Sequence, residues 1–220
     1  MLKGIIFDLD GTLVDSLSVT FDAFNYAITK HGGQKQTNEQ IMSYFGPGEK
    51  EIFSKIVGAR NAAQAYKDCW SYLDTNLDNV PLHNGIGELL NYFKENNIPA
   101  SVVTGRSWNT TETILKHHGL LERFVTIVTN DHVNFPKPSP EGLFLALKTM
   151  NLQPEQAMYI GDSPVDIQAA RSAGSHEVAA LWDSMTKRET LEPYQPSYWA
   201  ETPGEIKKIW DQIVSGVVPF

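Results

Sequence analysis

Gly4-Ile5-Ile6-Phe7-Asp8-Leu9-Asp10-Gly11-Thr12-Leu13-Val14-Asp15 carries the clearest architectural signal in the chain. It starts as an apolar run of β-favouring residues, the composition of a buried strand. Polarity changes abruptly at Asp8. Strand side chains alternate between faces, so Asp8 and Asp10 point the same way, and Gly11 lets the chain turn immediately after them. Two carboxylates on one face at the C-terminal edge of a buried strand are costly, and a bound cation or a reaction would account for them. A pair of solvated loop aspartates is the plain alternative, and this stretch alone does not decide between the two.

Downstream of Asp15 the pattern turns helical. Leu17, Phe21, Phe24 and Ile28 form one stripe, with Ser16 placed to cap it and His31-Gly32-Gly33 placed to end it. A short helix carrying Ile41, Met42 and Phe45 breaks at Gly46-Pro47-Gly48. A third helix carries Ile52, Phe53, Ile56 and Val57, and a fourth carries Ala62, Tyr66, Cys69, Trp70, Leu73 and Leu77. Residues 16–80 therefore read as an all-helical lobe.

From Pro81 the pattern alternates. Helices marked by Leu89 and Phe93, by Ile114 and Leu115, by Leu143 and Leu147, and by Ile167 and Ala170 each precede a strand, predicted at 98–103, 124–128, 157–160 and 178–181. Repeated β-α alternation predicts an α/β domain: a parallel Rossmann-like sheet with helices on both faces, built from residues 1–15 and 81–220. The strand at Ile5 must join that sheet. The helical block is then an insertion, with crossings near Asp15–Leu17 and Asn79–His83, and such a lobe closes over the strand ends where open α/β sheets bind ligands.

The 220 residues suffice for one sizeable core and a small second lobe. A net charge of −8 argues against nucleic acid and against an anionic membrane surface. No apolar run has spanning length. An anionic substrate would need a local positive centre or a metal. The single cysteine, Cys69, forbids an intrachain disulfide and falls in a helical apolar pattern that marks it as core. With no leader-like N-terminus, the expectation is a cytoplasmic protein, monomeric or a weak homodimer.

Three further features fall at predicted strand ends. The strand at 98–103 runs into Thr104-Gly105-Arg106, where a hydroxyl and an approachable backbone N–H suit an oxyanion, though an ordinary turn would look the same. Asn134-Phe135-Pro136-Lys137-Pro138-Ser139-Pro140 holds Lys137 on a stiff segment, which is a way to aim an ammonium group. Tyr159-Ile160-Gly161-Asp162-Ser163-Pro164-Val165-Asp166 ends an apolar strand in Gly-Asp and starts a helix at Pro164. Helix capping would explain Asp162 but not also Asp166. Together the features gather two aspartates, a threonine, a lysine and two more aspartates at one sheet edge. Oxygen donors without a Cys/His cluster favour a hard cation such as Mg²⁺.

This constellation closely resembles the haloacid dehalogenase superfamily of phosphohydrolases, over nearly the whole chain. The matching residues are Asp8-Leu9-Asp10-Gly11-Thr12-Leu13-Val14-Asp15-Ser16, then Thr104, Lys137 and Gly161-Asp162 with Asp166, together with a helical cap after the first motif. Phe45-Gly46-Pro47-Gly48 and Ala180-Leu181-Trp182 look most like the phosphoglycolate phosphatase and small pyrophosphatase branch. The resemblance implies that Asp8 attacks phosphorus and that Asp10 serves as acid and then base. It implies that Asp8, Asp10 (through its backbone carbonyl) and Asp162 hold Mg²⁺, with Asp166 as a further metal-site residue that orients a bound water or Lys137. Thr104, Gly105 and Lys137 would bind the phosphoryl group of a small phosphorylated metabolite.

Lys50 and Arg106 are candidates to meet an anionic leaving group, with solvated side chains as the equal alternative. Haloalkanoate dehalogenation would not need Asp10 or Mg²⁺. Schiff-base phosphonate hydrolysis would need a lysine where Ile41-Met42-Ser43-Tyr44-Phe45 has none. A β-phosphoglucomutase-like phosphotransferase usually carries a histidine about where Thr20 stands. Inorganic pyrophosphate hydrolysis and a non-catalytic binding protein on the same fold stay open.

Overall fold

The computed structural model describes residues 1–216. Gly4–Phe7 make strand β1, buried along its length. β2 (Ala100–Val103) and β3 (Ile127–Val128) lie to one side of it, and β4 (Ala157–Gly161), β5 (His176–Ala180) and β6 (Tyr198–Ala200) to the other. All pairings are parallel, in the order β3-β2-β1-β4-β5-β6. The chain winds outward from β1 in one direction and then in the other, and the crevice at such a reversal opens at the carboxyl ends of the strands. Phe7 pairs with Val102 and with Ile160, so Asp8, Thr104 and Asp162 fall together along that edge.

Between β1 and the rest of the sheet lie α1 (Leu17–Lys30), α2 (Asn38–Met42), α3 (Glu49–Val57) and α4 (Ala59–Thr75). These helices carry their own hydrophobic cluster, in which Phe24, Ile28, Ile41, Phe53 and Ala65 are buried and the rings of Phe24 and Phe53 stack at 4.9 Å. The stripe read from the sequence supplies it, and Cys69 sits in it. The two chain crossings touch: Asp15 N–H donates to Pro81 O at 2.9 Å and His83 N–H to Leu13 O at 3.0 Å.

α5 (Ile86–Glu95), α6 (Trp108–His117), α7 (Glu141–Met150), α8 (Pro164–Ala173), α9 (Arg188–Leu191) and α10 (Glu205–Ser215) complete the molecule. Ile5 and Phe7 pack into one cluster with Leu89, Phe93, Ile114 and Trp210, whereas Ile6 faces the opposite one with Leu143, Leu147 and Ala170. The strand's alternation thus joins both layers.

Some expectations need correction. The strand predicted at 124–128 ladders only at Ile127–Val128, although Val125 N–H already donates to Ala100 O of β2 at 2.8 Å. β6 and α10 lie beyond the last strand expected. Ser16 sits at the start of α1 but makes no capping bond; its hydroxyl donates instead to Asp10.

Candidate active site

The first motif builds a floor. Asp8 follows the last residue of β1, and its N–H donates to Ile160 O on β4 at 2.8 Å. Leu9 is fully buried, while Asp8 and Asp10 line a cavity of about 420 Å³ between the sheet edge and the helical lobe. The period-two alternation therefore persists just past the strand. Gly11 has φ +71°, and a β-carbon there would collide with the Asp162 carboxylate. The turn needs glycine for its backbone and for that close approach.

Lys137 reaches the floor from the stiff loop before α7. Its ammonium lies 2.6 Å from Asp166 Oδ1 and 2.9 Å from Asp8 Oδ1. It also donates to Tyr159 Oη at 3.1 Å. Burial alone would pull its pKa down, but Asp166 and Asp8 outweigh burial and hold it well above the usual lysine range. Asp166 is fully buried, and both its oxygens are engaged. Oδ1 accepts from Lys137 and from the Tyr159 hydroxyl at 2.8 Å, and Oδ2 accepts from Ser163 N–H at 3.1 Å and from the Ser163 hydroxyl. Ser163, not Asp162, caps α8, and Asp166 completes the reciprocal capping box. Capping thus falls on the neighbour of Asp162 and leaves Asp162 for the cavity. Tyr159 was not among the expected site residues. Its signal was a lone hydroxyl inside an apolar strand, which needs a buried partner.

The acidic groups fit a hard cation. Asp8, Asp162 and Asp166 each bring a carboxylate oxygen within 4.8 Å of the others. Asp8 Oδ1 is buried and faces the Lys137 ammonium as an ion pair at 2.9 Å. Burial, with Asp166 and Asp10 nearby, raises the Asp8 pKa to about 7 against the pull of Lys137. Burial first, then Asp166 and Asp8, push Asp162 well above the usual carboxylate range. Crowded, buried carboxylates are what an oxygen-ligated divalent ion would relieve. Asp166 accepts from four donors, the Lys137 ammonium among them, whereas Asp162 accepts one hydroxyl on each oxygen, from Thr12 at 3.4 Å and from Thr186 at 2.9 Å; Asp8 and Asp162 are the more available ligands.

Thr104 and Gly105 also line the cavity. Thr104 N–H is held by Val128 O at 2.9 Å, and nothing lies within 4 Å of where a β-carbon on Gly105 would be. Arg106 is buried, not solvated. Its Nε donates to both Asp10 oxygens at 2.8 and 2.7 Å, its Nη2 to the Thr20 hydroxyl, and its Nη1 lies 3.8 Å from Glu49 Oε1. Burial opposes its charge, but Asp10 and Glu49 more than restore it. Lys50 does not line the cavity; its ammonium sits 5.1 Å from the centre of the Tyr66 ring. The neighbouring residue Glu49, absent from the expected set, lines it instead and is buried.

Residues 5–180 match the haloacid dehalogenase-like hydrolase family. The chain belongs to that family and is an enzyme of the hydrolase class. A provisionally named pyrophosphatase, PpaX, of Caldanaerobacter subterraneus subsp. tengcongensis is 30% identical over 217 residues, 94% of each chain. Among solved structures, a predicted phosphoglycolate phosphatase of Haemophilus somnus 129PT superposes with a TM-score of 0.82 at 24% identity, over 95% of this chain and 98% of that one. A β-phosphoglucomutase of Clostridium difficile gives 0.82 at 22% identity over 100% of both. At these identities the structures speak for the fold. Among the described residues no helix is long and apolar enough to cross a membrane.

Proposed function

We propose that the chain is a Mg²⁺-dependent phosphatase that hydrolyses a small phosphorylated metabolite through an aspartyl-phosphate on Asp8. The observation that carries this is the Asp8 carboxylate itself: buried at the cavity floor, 2.9 Å from the Lys137 ammonium, with Asp10 lining the same cavity. Ionised Asp8 attacks phosphorus, and the bond from phosphorus to the ester oxygen breaks. Asp10 gives a proton to that departing oxygen, then takes one from the water that hydrolyses the acyl phosphate. Arg106, bonded to both Asp10 oxygens, favours the ionised carboxylate, the form that takes the proton from water in the second step. Lys137, the Thr104 hydroxyl and the Gly105 N–H receive the phosphoryl oxygens, and Asp166 positions Lys137.

Asp8, Asp162 and the main-chain oxygen of Asp10 are the groups that would hold Mg²⁺. When bound, the ion supplies charge neutralisation at the phosphoryl oxygens. Residues 1–15 and 81–220 act as the catalytic core, and 16–80 as a cap whose movement admits substrate and then excludes water. A cavity of about 420 Å³ suits a small metabolite rather than a folded phosphoprotein. Of the expected phosphoglycolate phosphatase-like character, monoester hydrolysis is the part this site supports. A mutase is disfavoured because Thr20 presents a hydroxyl, bonded to Arg106 and to Ser16 O, and no titratable ring. The direct test is phosphate release from a panel of phosphorylated metabolites with and without Mg²⁺. Asp8→Asn should abolish turnover while leaving the folded chain intact by circular dichroism. Substantial turnover by that variant would rule out the covalent route, and no release by the wild type would favour a binding protein.

A further inference from the structure

We infer, building on the phosphatase reading, that this cavity takes monoesters with an uncharged, largely apolar leaving group, and that Glu49 enforces this against pyrophosphate and against carboxylate-bearing monoesters. The roof, where a leaving group would sit, is formed by Leu17, Phe24, Met42, Phe45, Pro47 and Ile52. Met42 is 41% exposed and Phe45 42%, large apolar surfaces at the cavity that an apolar ligand would cover. Phe45 leans on Phe24 with ring centroids 5.9 Å apart, so part of this wall is aromatic.

The polar groups at that end point the same way. Of the described residues lining the cavity, the cations are Lys137 and Arg106, set against the carboxylates of Asp8, Asp10, Glu49 and Asp162. Lys137 is at the floor, between Asp8 and Asp166. Arg106 faces the roof but is already matched by Asp10 and Glu49. Glu49 is held in place from the core side: Oε2 accepts from Ser107 N–H at 3.1 Å and Oε1 from the Thr110 hydroxyl at 3.1 Å. A second anion beside the phosphoryl group would meet that fixed carboxylate with no unmatched cation to offset it. At an effective dielectric near 20, like charges about 6 Å apart disfavour binding by about a hundredfold. Lys50, the cap lysine nearest in sequence, stacks on Tyr66 outside the cavity.

The test uses a pair of substrates that differ by one carboxylate. Phenyl phosphate should exceed 4-carboxyphenyl phosphate in kcat/KM by at least about tenfold, mostly through KM, and pyrophosphate should be poorer still at equal free Mg²⁺. Glu49→Gln removes the fixed charge and should narrow the gap within the pair. A carboxyphenyl ester or pyrophosphate equal to or better than phenyl phosphate would overturn the inference, and so would an unchanged gap in Glu49→Gln. Binding separates this failure from failure of the phosphatase reading. Asp8→Asn, titrated calorimetrically in Mg²⁺, should bind phenyl phosphate more tightly than its carboxylated analogue whether or not the wild type turns either over. Equal or reversed affinities would refute the leaving-group assignment alone, and absence of all turnover would refute the phosphatase alone.

Discussion

The floor and the roof of the cavity are built from opposite chemistry. The floor stands on the ends of β1, β2 and β4, and its charged groups are locked by neighbours: Lys137 by Asp166, Asp166 by Tyr159 and Ser163, and the Gly11 turn by its contact with Asp162. The roof comes from short helices and is mostly apolar, with one carboxylate fastened across to the core. A phosphoryl group has the same shape and charge in every substrate, so its receptor can be rigid and charged. What is attached to it varies, and the roof is where a change of side chain alters selection without disturbing the chemistry beneath.

Asp10 joins the two halves, being bonded to Arg106 below the roof and to Ser16 at its edge. The largest effect after loss of Asp8 is therefore expected there. Asp10→Asn should lower turnover of an ester with a poor leaving group by about 10²–10⁴-fold. An ester with a very good leaving group should be rescued only in the first step, and full activity on it would show that hydrolysis of the phospho-enzyme proceeds without Asp10.

The two aspartates at the start of α8 sharpen the account of the floor. Asp162→Ala should raise the half-saturating Mg²⁺ concentration more than Asp166→Ala, because the Lys137 ammonium, the Tyr159 hydroxyl and Ser163 already engage Asp166, while Asp162 accepts only the Thr12 and Thr186 hydroxyls. Asp166→Ala should instead loosen Lys137 and raise KM. Equal shifts in a Mg²⁺ titration of both variants would erase the distinction between ligand and positioning residue.

The smallest effect lies at the joint between the halves. His118 Nε2 is 2.7 Å from Val80 O, and because a carbonyl only accepts, Nε2 carries the proton. Burial lowers the His118 pKa, with His117 adding to it and the bond to Val80 partly offsetting it. A histidine whose folded pKa is depressed contributes fully above its unfolded value of about 6.5, and that contribution is lost as pH falls through the folded value. Between about pH 7.5 and about pH 5, wild-type Tm should fall slightly more than that of His118→Gln. Identical falls would remove His118 as an acid-sensitive contact.

The floor was more legible in the sequence than the roof, for a physical reason. Strand alternation and chain order suffice to place Asp8, Asp10, Thr104 and Asp162 at one edge, since a parallel sheet aligns its strand ends. The roof depends on helical phase. Adjacent residues on a helix differ by roughly 100° in direction, so whether Glu49 or Lys50 enters the cavity turns on how α3 starts at Gly48, which the local pattern does not specify. Arg106 was equally open because its partners, Thr20, Glu49 and Asp10, lie far away in the chain. β6 and α10 do carry a sequence signal: Tyr198-Trp199-Ala200, then Ile206, Ile209, Trp210 and Ile213 at helical spacing.

The paired crossings have a consequence for how such a chain can vary. Asp15 and Pro81 are joined by one backbone hydrogen bond and Leu13 and His83 by another, so the lobe leaves and re-enters the core at a single point, as the tip of a hairpin would. The core itself holds those ends together. Loop-closure entropy grows only with the logarithm of loop length, each doubling costing about 0.6 kcal/mol. In topological terms the lobe is one long hairpin loop, exchangeable for a tight turn or a different insert with the order of the six strands unchanged.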